Sequence, residues 1–179
     1  MLFNVYGEVS KVDIFLEKIV KQKKSINDYA FIFGLVILSL CLILFIMSIS
    51  ALSAFFPLLG CGIIWIAYIL IKGRNIEYEY IVTNGDLDID KIIAQRKRKR
   101  IFSATAKDFE IIAKKSGPKY DYNVQNIKKK LITVSSLNSP DVYFGTLVKD
   151  GEKTVVFFEP TQKMLESLKK YNPMSVFID

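Results

Sequence analysis

Residues 29–71, YAFIFGLVILSLCLILFIMSISALSAFFPLLGCGIIWIAYILI, contain no Asp, Glu, Lys or Arg. A bilayer span needs roughly 20 predominantly apolar residues, so the run has room for two. Backbone polar groups in lipid must be satisfied within their own segment, which makes both spans helices. They are expected at 29–49 and 55–71, joined by the turn SALSAF, with Pro57 in the opening turn of the second, where its missing N–H costs nothing. A buried hairpin of a soluble protein is the alternative, and the length of the uncharged run disfavours it.

Orientation follows from the flanking cations. Lys18, Lys21, Lys23 and Lys24 precede the first span, Lys72 and Arg74 follow the second, and the connecting turn carries none. The positive-inside rule therefore places both termini in the cytoplasm. A secretory leader is not expected, because residues 1–28 are mostly polar and show no cleavage pattern. The two cysteines, Cys41 and Cys61, both fall within the spans, so no disulfide framework is expected and the remainder has no thiol.

Three segments result: 1–28, 29–71 and 72–179. In the first, Val12, Phe15, Leu16, Ile19 and Val20 recur at helical spacing, predicting a lysine-rich amphipathic helix lying in the headgroup plane or packed on the soluble domain. Ser25, with Asp28 three residues on, is a start signal for the first span. In the second, Gly34, Ser39, Gly60, Gly62 and Ala67 allow close helix approach, between the two spans or with a partner. No ionisable side chain sits at membrane depth, which argues for an anchor over a transporter.

The third segment reads as strands closed by one helix. IEYEYIVT and LDIDKIIA flank Asn84-Gly85, a strong hairpin signal. Pairing Val82 with Leu87 sets Tyr80 opposite Ile89 and Tyr78 opposite Lys91, leaving Glu77, Glu79, Asp86, Asp88 and Asp90 on the other face. Further strands are expected in KRKRIFSA, DFEIIAK, KKLITVSS, DVYFGTLV and KTVVFFE, giving seven in all. In EPTQKMLESLKKYNP a helix is expected, with Pro160 in its first turn, a stripe of Met164, Leu165, Leu168 and Tyr171, and Asn172-Pro173 ending it. The fold class expected is thus a membrane α-helical hairpin plus an α+β soluble domain, a seven-stranded antiparallel barrel closed by the C-terminal helix.

Two spans, seven strands and a closing helix, with the hairpin YEYIVTNGDLDID opening the soluble part, resemble the bacterial pleckstrin-homology-like (PH-like) membrane proteins. More narrowly, FLEKIVKQKKSINDYA, that hairpin and KIIAQRKRKRIFSA resemble an uncharacterised family of small two-pass proteins from low-GC Gram-positive bacteria. The resemblance implies a membrane-tethered binding or scaffolding module of the bacterial plasma membrane and brings no catalytic signature with it.

The inventory speaks against an enzyme. There is no histidine for acid–base work near neutral pH and no soluble cysteine as nucleophile or zinc ligand, and no cofactor or metal is expected. Asp86, Asp88 and Asp90 imitate the opening of a calcium loop, but Lys91 and Lys97 stand where Gly and Glu are required. GTLVKDGEKT has the wrong glycine spacing for a phosphate loop and fits a hairpin turn. Tyr120 and Tyr122, with basic residues around them and a net charge of +7, could stack on bases, although tethering makes nucleic acid an unfavoured partner.

The remaining feature is the run Arg96, Lys97, Arg98, Lys99 and Arg100. A strand rising from the bilayer at residue 76 climbs about 27 Å over eight residues, and the Asn84-Gly85 turn sends the next strand back down. These five cations therefore join Lys72, Arg74 and the four lysines before the first span in a belt at the membrane, available to anionic headgroups. Alternatively, Arg98 and Arg100 pair across strands with Asp88 and Asp90 while Lys97 and Lys99 face elsewhere. Function is read as a non-enzymatic module binding anionic lipid or a protein partner. The second possibility is a structural subunit, or homo-oligomer, assembled through Gly60 and Gly62.

Overall fold

The computed structural model describes residues 14–178. Strand β1 (Phe15–Lys21) leads into helix α1 (Ile26–Ser48), a 3-10 turn at Ser50–Phe55 and helix α2 (Phe56–Lys72). Strands β2 (Ile76–Thr83), β3 (Asp86–Ile93), β4 (Lys97–Thr105) and β5 (Phe109–Lys114) follow. The chain ends through a short helix α3 (Tyr122–Gln125), strands β6 (Lys129–Ile132), β7 (Tyr143–Lys149) and β8 (Glu152–Phe158), and helix α4 (Gln162–Tyr171).

Two expectations are corrected. Residues 15–21 form an edge strand instead of an amphipathic helix, pairing antiparallel with β2 from Phe15↔Thr83 to Lys21↔Glu77. The apolar spacing served both readings: the alternation that sends Leu16 and Val20 to the core also looks helical, and pairing with β2 decides between them. Val12 lies outside the described residues. The closed barrel is replaced by two four-stranded sheets, ordered β1-β2-β3-β4 and β5-β7-β8-β6; the seven strands expected after the helices are present as β2–β8, and β1 is the eighth among the described residues. β6 runs parallel to β8, which breaks the all-antiparallel pattern.

α1 starts as anticipated: the Ser25 hydroxyl accepts from the Asp28 N–H at 3.4 Å while the Asp28 carboxylate accepts from the Ser25 N–H at 2.9 Å. At 23 residues it is long and apolar enough to cross a membrane; α2, also apolar, is shorter at 17. The helices pack along each other with Gly60 and Ala67 buried. Open space lies above Gly34, Gly60 and Gly62, where an added Cβ would meet nothing within 4 Å.

The sheets face each other across a core of Tyr80, Val82, Leu87, Ile89 and Phe102 from the first and Phe109, Ile112, Leu147, Val156 and Phe158 from the second. α4 covers the opening with Met164, Leu165 and Leu168, all but inaccessible, contributing about 1.5–3 kcal/mol each. It begins at Gln162, so Pro160 precedes the helix instead of sitting in its first turn, and it is capped by Thr161, whose hydroxyl accepts from the Met164 N–H at 3.3 Å. Its end is fixed by Asn172, whose amide donates to the carbonyls of Ala106 and Phe109 at 2.8 and 3.1 Å. A smaller cluster, including Val124, Ile127, Phe144 and Phe157, covers the outer face of the second sheet.

The β2–β3 hairpin turns at Asn84 (φ 51°) and Gly85 (φ 90°), as two positive dihedrals of a type I′ turn require. A Cβ on Gly85 would lie 2.5 Å from the Tyr171 ring, whereas one on Gly151 (φ 78°), in the β7–β8 turn, would meet nothing within 4 Å. Gly85→Ala is expected to cost about 2–3 kcal/mol and Gly151→Ala about 1 kcal/mol, read by chemical denaturation of the detergent-solubilised chain.

Candidate functional site

The helical pair enters and leaves the first sheet between two adjacent strands. Three residues separate the end of α2 at Lys72 from the start of β2 at Ile76, and four separate β1 from α1. The Gln22 N–H donates to the Ile76 carbonyl at 3.0 Å and the Lys23 N–H to the Ser135 carbonyl at 2.9 Å. Arg74 meets Asp28 at 2.6 Å and lies 5.1 Å from the Phe31 ring centre, so it clasps the start of α1. The helix-facing end of the sheet is thus fixed directly to the helices.

The β3–β4 turn returns to this end, as anticipated. Its Ala94 N–H donates to the Asn75 carbonyl at 2.9 Å. Ala94 and Gln95 both adopt left-handed backbone, φ 54° and 57°, without glycine. Such conformations cost about 1–2 kcal/mol per residue, here held by the Asn75 contact and by Gln95 donating to Glu77 at 3.2 Å. The turn divides two clefts. On one side a polar cleft of about 300 Å³ is lined by Lys21, Gln22, Lys24, Asn75, Glu77 and Gln95. On the other, a cleft of about 220 Å³ lies between the end of α2 and the turn, with Tyr68, Ile69 and Ile93 in its wall and Lys72, Arg96 and Lys97 at its margin. Lys72 donates to the Tyr68 hydroxyl at 2.9 Å.

The basic run splits between the two faces of the sheet. A bulge at Ile101 sets Asp90 opposite Arg100 and Ile92 opposite Arg98, so both arginines share a face with Glu77, Glu79, Asp88 and Asp90. Arg100 contacts Asp88 at 2.8 Å and Asp90 at 3.0 Å. Arg98 meets Glu79 in an ionic contact and approaches Asp90 at 3.8 Å. Glu79 is 1% exposed on the outer side of the sheet, and burial raises its carboxyl above the ordinary carboxylate range, with Glu17 beside it adding to the rise and Arg98 opposing it. The Asp90 hydrogen bond raises Arg100 further.

Lys97 and Lys99 point to the other face, opposite Ile93 and Lys91. Among the described residues, no carboxylate pairs with Lys91, Arg96, Lys97 or Lys99. Of the seven cations picked out from the sequence, the structure brings Lys72, Arg96 and Lys97 together at one cleft, sets Lys99 on the same face, and engages Arg74, Arg98 and Arg100 with acids. Lys91 is not among those seven, although its place opposite Tyr78 follows from the Asn84-Gly85 turn and sets it beside β4. Tyr120, considered as a stacking platform, packs its ring against Phe144 and Phe157, centres 5.3 and 6.0 Å away. Asp86, Asp88 and Asp90 occupy one face of a strand, not a loop.

The described fold is a two-sheet domain whose opening is covered by a C-terminal helix. The chain matches the bacterial PH-like domain family (DUF6106) over residues 12–178 and belongs to it. PH-like domains are generally non-enzymatic and often bind lipids or proteins. No curated protein and no solved structure matches the chain.

Arg98→Gln leaves Glu79 buried without its counter-ion and is expected to cost about 2 kcal/mol, whereas Lys97→Gln stays within about 0.5 kcal/mol by the same denaturation measurement. Because folding raises the Glu79 pKa, the native state holds that proton more tightly than the unfolded chain. Stability is therefore greater on the acid side and falls as pH rises from the ordinary Glu range through the raised one. Denaturation at a series of pH values should show this fall, and Glu79→Gln should flatten it.

Proposed function

We propose that the chain is a non-enzymatic, membrane-anchored binding or scaffolding module whose sheet domain docks its cationic end on the anionic cytoplasmic surface of the bacterial plasma membrane. One observation carries this reading: the helical pair is spliced between adjacent strands β1 and β2, so the end of the sheet bearing Lys72, Arg96 and Lys97 is also the end that abuts the helices. If α1 and α2 lie in lipid, that end meets the headgroups, where each exposed cation contributes roughly 1 kcal/mol. A 17-residue α2 is about 26 Å long, short of the roughly 30 Å hydrocarbon core, and Lys72 at its end is placed to snorkel. Lys23, Lys24, Lys72 and Arg74 at this end, and an uncharged Ser50–Phe55 turn at the other, support cytoplasmic termini.

A second reading has one observation in its favour. Open space above Gly34 and Gly62, neither of them buried between α1 and α2, leaves those surfaces free for a helix of another subunit.

The docking reading is tested with the full chain in lipid nanodiscs. Amide exchange at residues 22–24 and 94–97 should slow when the discs contain phosphatidylglycerol instead of phosphatidylcholine alone, and the difference should vanish in high salt. Equal exchange in both kinds of disc would refute it.

A further inference from the structure

The two faces of the β3–β4 ribbon are electrically unlike. On the outer face, every cation of the ribbon has acids: Arg98 and Arg100 contact Glu79, Asp88 and Asp90. On the face that continues into the cleft, Lys91 stands directly opposite Lys99, and Lys97 comes next along the same side of β4. Like charges directly opposite each other destabilise a strand pair, and no carboxylate among the described residues offsets them. The strained turn at Ala94 and Gln95 adds Arg96 to this cationic set and fixes it beside Lys72. Repulsion and backbone strain are both retained in one place, and a bound anion would relieve the first.

The cleft specifies which anion. Its polar margin is cationic, while its wall is formed by Tyr68 and Ile69 of α2 and by Ile93 of β3, an apolar surface running directly onto the helix. A free phosphate uses only the margin. A phospholipid uses both, its phosphate among the cations and its glycerol and first chain atoms along the wall. We infer that this cleft holds a single anionic phospholipid, its phosphate bound by Lys72, Arg96 and Lys97 with Lys91 and Lys99 completing the field. The inference rests on the membrane reading above and deepens it from surface attraction to a stoichiometric site.

The test uses the full chain purified in a neutral detergent, where no charged bilayer surface is present. Native mass spectrometry should show one phosphatidylglycerol retained per chain in preference to phosphatidylcholine, with inorganic phosphate unable to displace it. Lys91→Gln combined with Lys99→Gln should weaken retention about tenfold or more while leaving the melting temperature unchanged or higher, because it removes a repulsion. A merely structural pair would lower the melting temperature. Lys23→Gln with Lys24→Gln, outside the cleft, should retain lipid normally while losing part of the exchange protection in nanodiscs. Equal retention of phosphatidylcholine, displacement by inorganic phosphate, or full retention by the Lys91/Lys99 variant would each overturn the inference. Loss of selective retention with nanodisc protection intact would sink the cleft alone; the reverse would sink surface docking alone.

Discussion

The pairing of β1 with β2 is the constraint on which the rest of the structure depends. These strands are neighbours in the sheet, yet all of α1 and α2 lies between them in the chain. The Gln22 and Lys23 backbone bonds and the Arg74–Asp28 ion pair close the base of this insertion. The apolar helices therefore cannot be oriented independently of the sheet, and the rim to which the β3–β4 turn returns is the rim they share.

On that rim, charge is sorted by strand parity. The bulge at Ile101 sets which residues of β4 face outward, and it aligns Arg98 and Arg100 with a face whose acids are already partly buried. Burial makes the acids costly without their arginines, so these two cations belong to the sheet's own stability. The lysines of opposite parity have no such engagement among the described residues, and they are the ones proposed to meet an external anion. A basic run that looks uniform in sequence is thus split between two faces by strand alternation, with a single extra residue deciding which set meets the acids.

Much of this was legible beforehand. The charge-free run, the Ser25–Asp28 cap, the Asn84-Gly85 turn and the β2–β3 register follow from local chemistry and reappear in the structure. The split between arginines and lysines was visible as one of two alternatives, because parity decides it, but the register of β4 depends on a bulge that no local signal marks. Residues 15–21 read as a helix because an edge strand with one buried side carries apolar residues at spacings a helix shares, and the deciding partner, β2, lies beyond both apolar helices in the chain. The cleft itself escaped notice because Tyr68, Ile93 and Arg96 come from three separate elements and meet only through tertiary contact.

The insertion of the helices between neighbouring strands also orders events during synthesis. β1 emerges first, with Leu16 and Val20 ready for a core that does not yet exist, and its partner is made only after both apolar helices have been translated. If those helices partition into the bilayer as they appear, the membrane itself brings the two strand ends together, lowering the entropic barrier to closing so long a loop. Sheet assembly is then a consequence of successful insertion, and a chain that fails to insert leaves an orphan β-strand edge for quality control to find.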